Sequence, residues 1–213
     1  MLACNRGYPL GKKIPDKYAT TKAGGEVWPQ YGDEGPTWRI SDEWYHYRGP
    51  TTVYLADCEG PCEDWVATGK RWFKIWETGY FPTGWPAGSI ERSLITDRKT
   101  WQQKNLAAEK RACNWYPVRM TTPMDVKPGN YLMRHEVFYS EGDLTLWPQL
   151  NPTCANIKVI GNETAFPSDE YLVSFLGAYK TTDPAFANQG PKHAEERAQT
   201  YNYTIPCPKV WKS

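Results

Sequence analysis

From Val126 to Cys154 the chain reads VKPGNYLMRHEVFYSEGDLTLWPQLNPTC, and its apolar and polar positions fall into a period of two. Pro128 and Gly129 supply a turn, after which Tyr131, Met133 and His135 alternate with Leu132, Arg134 and Glu136. Side chains on a strand point alternately to its two faces, so this pattern predicts a half-buried central strand entered from a turn. Thr51 to Ala56 in GPTTVYLADCEGPC reads as another strand, running into a Cys-bounded loop, and Trp72, Lys74 and Trp76 alternate with Phe73 and Ile75 in KRWFKIWETGYF. A further short strand is expected in residues 113–123, and two more in the Gly- and Pro-punctuated pieces TKAGGEVW (21–28) and TWRISDEW (37–44). One stretch departs from the pattern: residues 100–112, TWQQKNLAAEKRA, are rich in helix formers and charge, which predicts a short surface helix with Trp101, Leu106 and Ala107 inward.

Several short alternating segments divided by turns, with neither βαβ alternation nor a glycine-rich phosphate loop, predict an all-β antiparallel sandwich. A chain of 213 residues can bury one such core, so a single domain over 1–213 is expected. Its 25 Lys and Arg balance 24 Asp and Glu, which argues against a nucleic-acid or anionic-membrane partner held by net charge. The 11 Trp and 14 Tyr point instead toward carbohydrate, because flat amphipathic rings stack on the apolar faces of sugars. Six Cys, with sequons at Asn162 (NET) and Asn202 (NYT), fit a secreted, extracellular protein from an oxidising compartment. No apolar run approaches the roughly 18 residues of a membrane span, and MLACNRGY has no signal-peptide core. Cys58 and Cys62 enclose a short EGP loop that suits a disulfide, with metal binding as the alternative.

PGNYLMRHE and QLNPTC resemble the "PGxYLLRHE…QFYPxC" segments of the fungal lytic polysaccharide monooxygenases of auxiliary activity family 9, formerly glycoside hydrolase family 61. GPTTVYLADCEGPC is similar to the family's "GPVxVYLAPCxGxC", WFKIWETG to "WFKIxExG", YLVSFLGAYKTTDP to "VxFPGAYxxxDPG" and YNYTIPCPKVW to "YxIPGPxxW", with Ala185 standing where the family has Gly. ANIKVIG (155–161) is similar to the family's strand after its Cys. The motifs run in order over residues 4–211. The resemblance implies an immunoglobulin-like sandwich with long loops and at most one or two short helices, and a chain that starts after the family's first strands, leaving a sheet edge exposed. It also implies Cys58–Cys62 and Cys4–Cys154 disulfides. Cys113 and Cys207, the latter at the Gly of "IPGP", remain for a third bridge without a family precedent.

Relatives cleave cellulose and related β-glucans with a copper ion held by the amine and ring of an N-terminal His and by a second His; three nitrogens in a T suit copper. Here Tyr47 takes the place of the second His, with His46 one residue earlier as a weaker metal candidate or a packing residue. The outer-sphere His and the axial Tyr correspond to Glu141 and Asn151, and Gln149 retains the family's outer-sphere Gln. His135 corresponds to a structural His of the strand, while His193 lies in a polar loop. Glu136 and Glu141 could be imagined as a glycosidase pair, but that chemistry needs a fixed separation across a cleft. Tyr203, Tyr47 and Trp147 are the rings the resemblance places for glycan stacking.

Three readings follow. The first is a secreted, monomeric, monooxygenase-like protein that binds cellulose or another β-glucan, with no cofactor expected for this chain although the family uses copper. The second is an active copper monooxygenase whose N-terminal His comes from a preceding segment. The third is a structural or interaction sandwich.

Overall fold

The computed structural model describes residues 4, 16–29, 49–65, 67–81, 100–101, 120–139, 149–175, 177–180, 182–183, 204–206 and 208–213. Ten strands occur among them: β1 (Tyr18–Lys22), β2 (Glu26–Val27), β3 (Thr51–Asp57), β4 (Trp72–Thr78), β5 (Tyr80–Phe81), β6 (Thr100–Trp101), β7 (Met120–Thr121), β8 (Gly129–Tyr139), β9 (Gln149–Ile160) and β10 (Leu172–Val173). Six form one sheet in the order β1-β9-β8-β3-β4-β10, and β2-β7 and β5-β6 form two-stranded ribbons. The helices among the described residues are two single 3-10 turns, Cys62–Asp64 and Asp169–Tyr171.

β3 is buried along its whole length because the sheet is covered on both faces. On one face Val53, Leu55, Phe73, Ile75, Tyr131, Met133, Val137, Ile157 and Val159 meet Met120, Val126 and Trp211, with Val27 packed against them. The β2-β7 ribbon is thus the facing layer of a sandwich. On the other face Tyr54, Ala56, Trp72 and Leu132 meet Phe175, Ala178 and the Cys58–Cys62 bridge. Phe175 stands edge-on to both Tyr54 and Trp72, with centroids 4.9 and 5.5 Å away, the arrangement that ring quadrupoles favour. Each fully buried aliphatic side chain contributes about 1.5–3 kcal/mol, so this double-faced sheet is the main source of stability.

Three local expectations are corrected. Trp76 shares a face with Phe73 and Ile75, not with Trp72: Val53 pairs with Trp76 while Tyr54 pairs with Lys74, so Ile75 is the extra residue of a β-bulge that turns the strand by one position. Thr100 and Trp101, placed in a helix from composition, are strand β6, because they pair antiparallel with Phe81 and Tyr80; residues 102–112 lie outside the described residues. The sheet is also not wholly antiparallel, since β1 pairs parallel with β9, Tyr18 to Asn156 through Lys22 to Ile160. Of the segment 21–28, residues 21–22 close β1 and 26–27 form β2, while 37–44 falls outside the described residues.

Cys4 and Cys154 are bonded, with Cα atoms 5.4 Å apart, as are Cys58 and Cys62 at 5.1 Å. The latter pair is therefore a disulfide and not a metal site. Cys113 and Cys207 lie outside the described residues.

Candidate functional site

The start of β3, the end of β8 and the start of β9 meet at one end of the large sheet. Thr51, Val137 and Asn151 lie side by side in register, and Tyr139 and Gln149 form the last pair. Gly49 turns the chain into β3 at φ 124°, a conformation that a side chain would strain, and the Phe138 amide donates to the Pro50 carbonyl at 3.0 Å. The backbone leading into β3 is thereby held against β8.

Gln149 and Asn151 are two residues apart on β9 and so share a face, roughly 7 Å apart along the strand. Gln149 is exposed at the rim, whereas Asn151 is half-buried with its Nδ2 donating to the Val137 carbonyl at 3.4 Å. An amide tied to the backbone stands where the resemblance sets a phenol. Amides are neutral and weak donors to copper compared with imidazole. His135 lies on the same face but deeper, 2% exposed, and burial alone pushes its imidazole down to about 3, so it is neutral at physiological pH and sits within the core.

The opposite face of β8 carries a buried polar group set that sequence reasoning had treated only as loose carboxylates. Arg134 and Glu136 are both fully buried and pair directly with each other. The Tyr179 hydroxyl donates to Glu136 Oε2 at 2.5 Å and lies 3.0 Å from the Tyr54 hydroxyl, while the Arg134 guanidinium stacks 4.0 Å over the Phe175 ring. Desolvation pushes the Glu136 carboxyl up and Arg134 opposes it; burial likewise raises both tyrosines. The signal for this set was the R-x-E spacing, which puts both charges on one strand face. Glu136 is thus a structural partner, not half of a hydrolytic pair. Nearby, Lys74 Nζ donates to Glu77 at 2.8 Å and to the Pro206 carbonyl at 2.5 Å, tying the C-terminal segment to β4.

His46, Tyr47, Glu141, Trp147, His193, Asn202 and Tyr203 lie outside the described residues. Among the described residues no group of three or more His, Cys, Asp or Glu is placed to hold a metal ion. The described donors at this end, two carboxamides, do not fit a copper centre, and no chemical step through copper is assigned to them.

Residues 1–201 match the family Auxiliary Activity family 9 (formerly GH61). Over 212 residues the chain is 32% identical to AA9 family lytic polysaccharide monooxygenase B of Heterobasidion irregulare, covering 99% of this chain and 73% of that protein. It is 30% identical over 178 residues to AA9 family lytic polysaccharide monooxygenase D of Thermothelomyces thermophilus, covering 80% of this chain and 61% of that relative, under two thirds of its length. Among solved structures, a cellulose-active polysaccharide monooxygenase from M. thermophila superposes with a TM-score of 0.69 at 26% identity, over 95% of this chain and 78% of that one. A family match over residues 1–201, identity to a curated member over nearly the whole chain and a shared fold lead to one assignment: the chain belongs to Auxiliary Activity family 9.

Proposed function

We propose that this chain is a secreted single-domain protein that binds cellulose or a related β-glucan at the end of the sheet where β3, β8 and β9 meet, without oxidising it through copper. The observation that supports this is Asn151, whose amide is committed to the Val137 carbonyl at the position of the family's axial phenol. The sequence adds two further replacements, Tyr47 for the second His ligand and Glu141 for the outer-sphere His, while His46 offers at most one imidazole nitrogen. A single nitrogen without supporting hydrogen bonds gives a weak, labile site. Gln149 remains at the rim as a hydrogen-bonding group for sugar hydroxyls. Tyr203, Tyr47 and Trp147 are proposed as the stacking surface, each ring contributing about 1 kcal/mol. Balanced charge and the absence of any long apolar helix among the described residues go with a monomer acting on a neutral polymer, without nucleic-acid or membrane partners.

The second reading, an authentic copper monooxygenase, draws on the similarity to lytic polysaccharide monooxygenases. Copper titration by calorimetry with electron paramagnetic resonance, followed by cellulose retention and product analysis with reductant, separates the two. The expected outcome is retention on cellulose with neither stoichiometric copper binding nor oxidised oligosaccharides. A tight one-to-one site with a two-imidazole spectrum and oxidised products would establish the second reading, and absence of retention would leave the sandwich a structural or interaction module.

A further inference from the structure

At the far end of the large sheet, opposite the candidate site, β9 ends at Ile160 and the chain turns off the sheet through Gly161, Asn162, Glu163 and Thr164. β9 has 12 residues, so this turn lies roughly 35 Å from the Gln149 end. Gly161 has φ 148°, a backbone conformation that a side chain would strain, so the turn favours glycine. The turn is pinned on both sides. Ala23 donates to the Ile160 carbonyl, and Ala165 both donates to Asp125 at 3.0 Å and accepts from Lys127 at 2.9 Å.

Asn162 and Thr164, the two residues of the N-x-T sequon that glycosylation needs, are both exposed on this turn. Beside them is a groove of about 560 Å³ whose wall includes Asp57, Asn130, Lys158, Ile160 and Gly161. Ile160, two residues before Asn162, is 48% exposed, because the odd positions Ile157 and Val159 take the core face of β9. An apolar side chain is thus left bare at the mouth of a groove with a polar wall.

We propose that Asn162 carries an N-linked glycan and that its first N-acetylglucosamine residues lie over Ile160 along this groove. In the modification the Asn162 amide nitrogen displaces the diphosphate from C1 of an N-acetylglucosamine oligosaccharide carried on a polyprenyl diphosphate. A C–N bond forms, the C1–O bond breaks, the polyprenyl diphosphate leaves and the amide gives up one proton. The sugar that results has an apolar face to set against Ile160 and hydroxyls to meet the exposed Lys158 at the wall of the groove. Placement at the far end keeps the glycan off the polysaccharide-facing surface, where it would block a crystalline chain.

This inference rests on the secretory route of the proposed function, and the test reads that route separately through the Cys4–Cys154 bridge. The chain is secreted from a yeast host behind the host's own leader, and its peptides are mapped before and after peptide N-glycosidase, which converts a glycosylated Asn to Asp. The expected result is a hexose- and N-acetylhexosamine-bearing peptide at Asn162, lost in Asn162→Gln. Hydrogen exchange at Lys158–Gly161 is expected to be at least about twofold slower in the glycosylated protein than after enzymatic removal, and Ile160→Ser is expected to abolish that difference while leaving the site modified. An unmodified Asn162 in protein whose Cys4–Cys154 bridge has formed would overturn the proposal, and equal exchange with and without the glycan would overturn its placement in the groove.

Discussion

Arg134→Met tests what holds β8 behind the candidate site. Arg134 and Glu136 are both fully buried and paired, so removing the guanidinium leaves a carboxylate inside the sheet packing with the Tyr179 hydroxyl and the more distant Lys74 charge to stabilise it. Breaking a buried pair in this way costs about 3–5 kcal/mol, whereas replacing both partners by neutral groups of similar shape is often close to neutral. Met keeps an apolar stem against Phe175, so the loss reports charge and not an empty cavity. The pH dependence has a definite sign. Burial already raises the Glu136 carboxyl, and losing Arg134, which opposes that, raises it further. Above the unfolded carboxyl value of about 4.3 and below the folded value, the folded state holds the extra proton, so stability falls as pH rises, by up to about 1.4 kcal/mol per unit. Urea denaturation followed by tryptophan fluorescence should show Arg134→Met less stable by about 3–5 kcal/mol at pH 8 and by clearly less at pH 5. Adding Glu136→Gln should recover most of the loss and flatten its pH dependence. A loss below about 1 kcal/mol at pH 8, or one equal at both pH values, would refute the account of the pair as a mutually dependent buried unit.

Two further outcomes are expected. The Cys4–Cys154 bridge spans 150 residues and Cys58–Cys62 spans 4, so loop-closure entropy assigns about 5 kcal/mol to the first and about 2 to the second; paired Cys→Ala variants should rank in that order in urea midpoint, and the reverse ranking would show that local packing outweighs chain constraint. Asn151→Tyr sets a phenol where the resemblance has the family's axial Tyr but adds no imidazole, so under the proposed function it should produce no oxidised oligosaccharides from cellulose with copper and reductant, and their appearance would contradict that proposal.

The strands that carry the sheet were legible for different reasons: Gly129–Tyr139 folds where its alternation puts it, and Thr51–Asp57 where a short run bounded by a turn and a Cys loop puts it. What alternation cannot display is an inserted residue. Ile75 is apolar on either reading of β4, and only pairing with β3 reveals that Trp76 has changed faces. Thr100 and Trp101 show the same gap from the other side, since local helix preference around them yields to pairing with β5. The parallel contact of β1 with β9 leaves no local trace, because neither strand is near the other in sequence. At the candidate site, the resemblance assigns Gln149 and Asn151 family positions by their distance from Pro152 and Cys154, but only the structure puts both on one face of β9, which begins well before the strand expected at 155–161. The Arg134–Glu136–Tyr179 set was missed because its third member comes from a loop whose approach no pattern in β8 announces.

The pairing of β1 with β9 also sets a timetable. The β8-β9 pair and the β3-β4 pair can each assemble from segments near one another in sequence, and the loop between Cys58 and Cys62 can oxidise as soon as it emerges. β1 has to wait, unpaired, until almost the whole of β9 has been synthesised, and Cys4 waits with it for Cys154. Contacts of such long sequence separation form late because the chain between them must first be ordered. β1 and Cys4 are therefore among the last parts of the sheet to find their places, and through that interval a bare strand and a free thiol stay open to other partners.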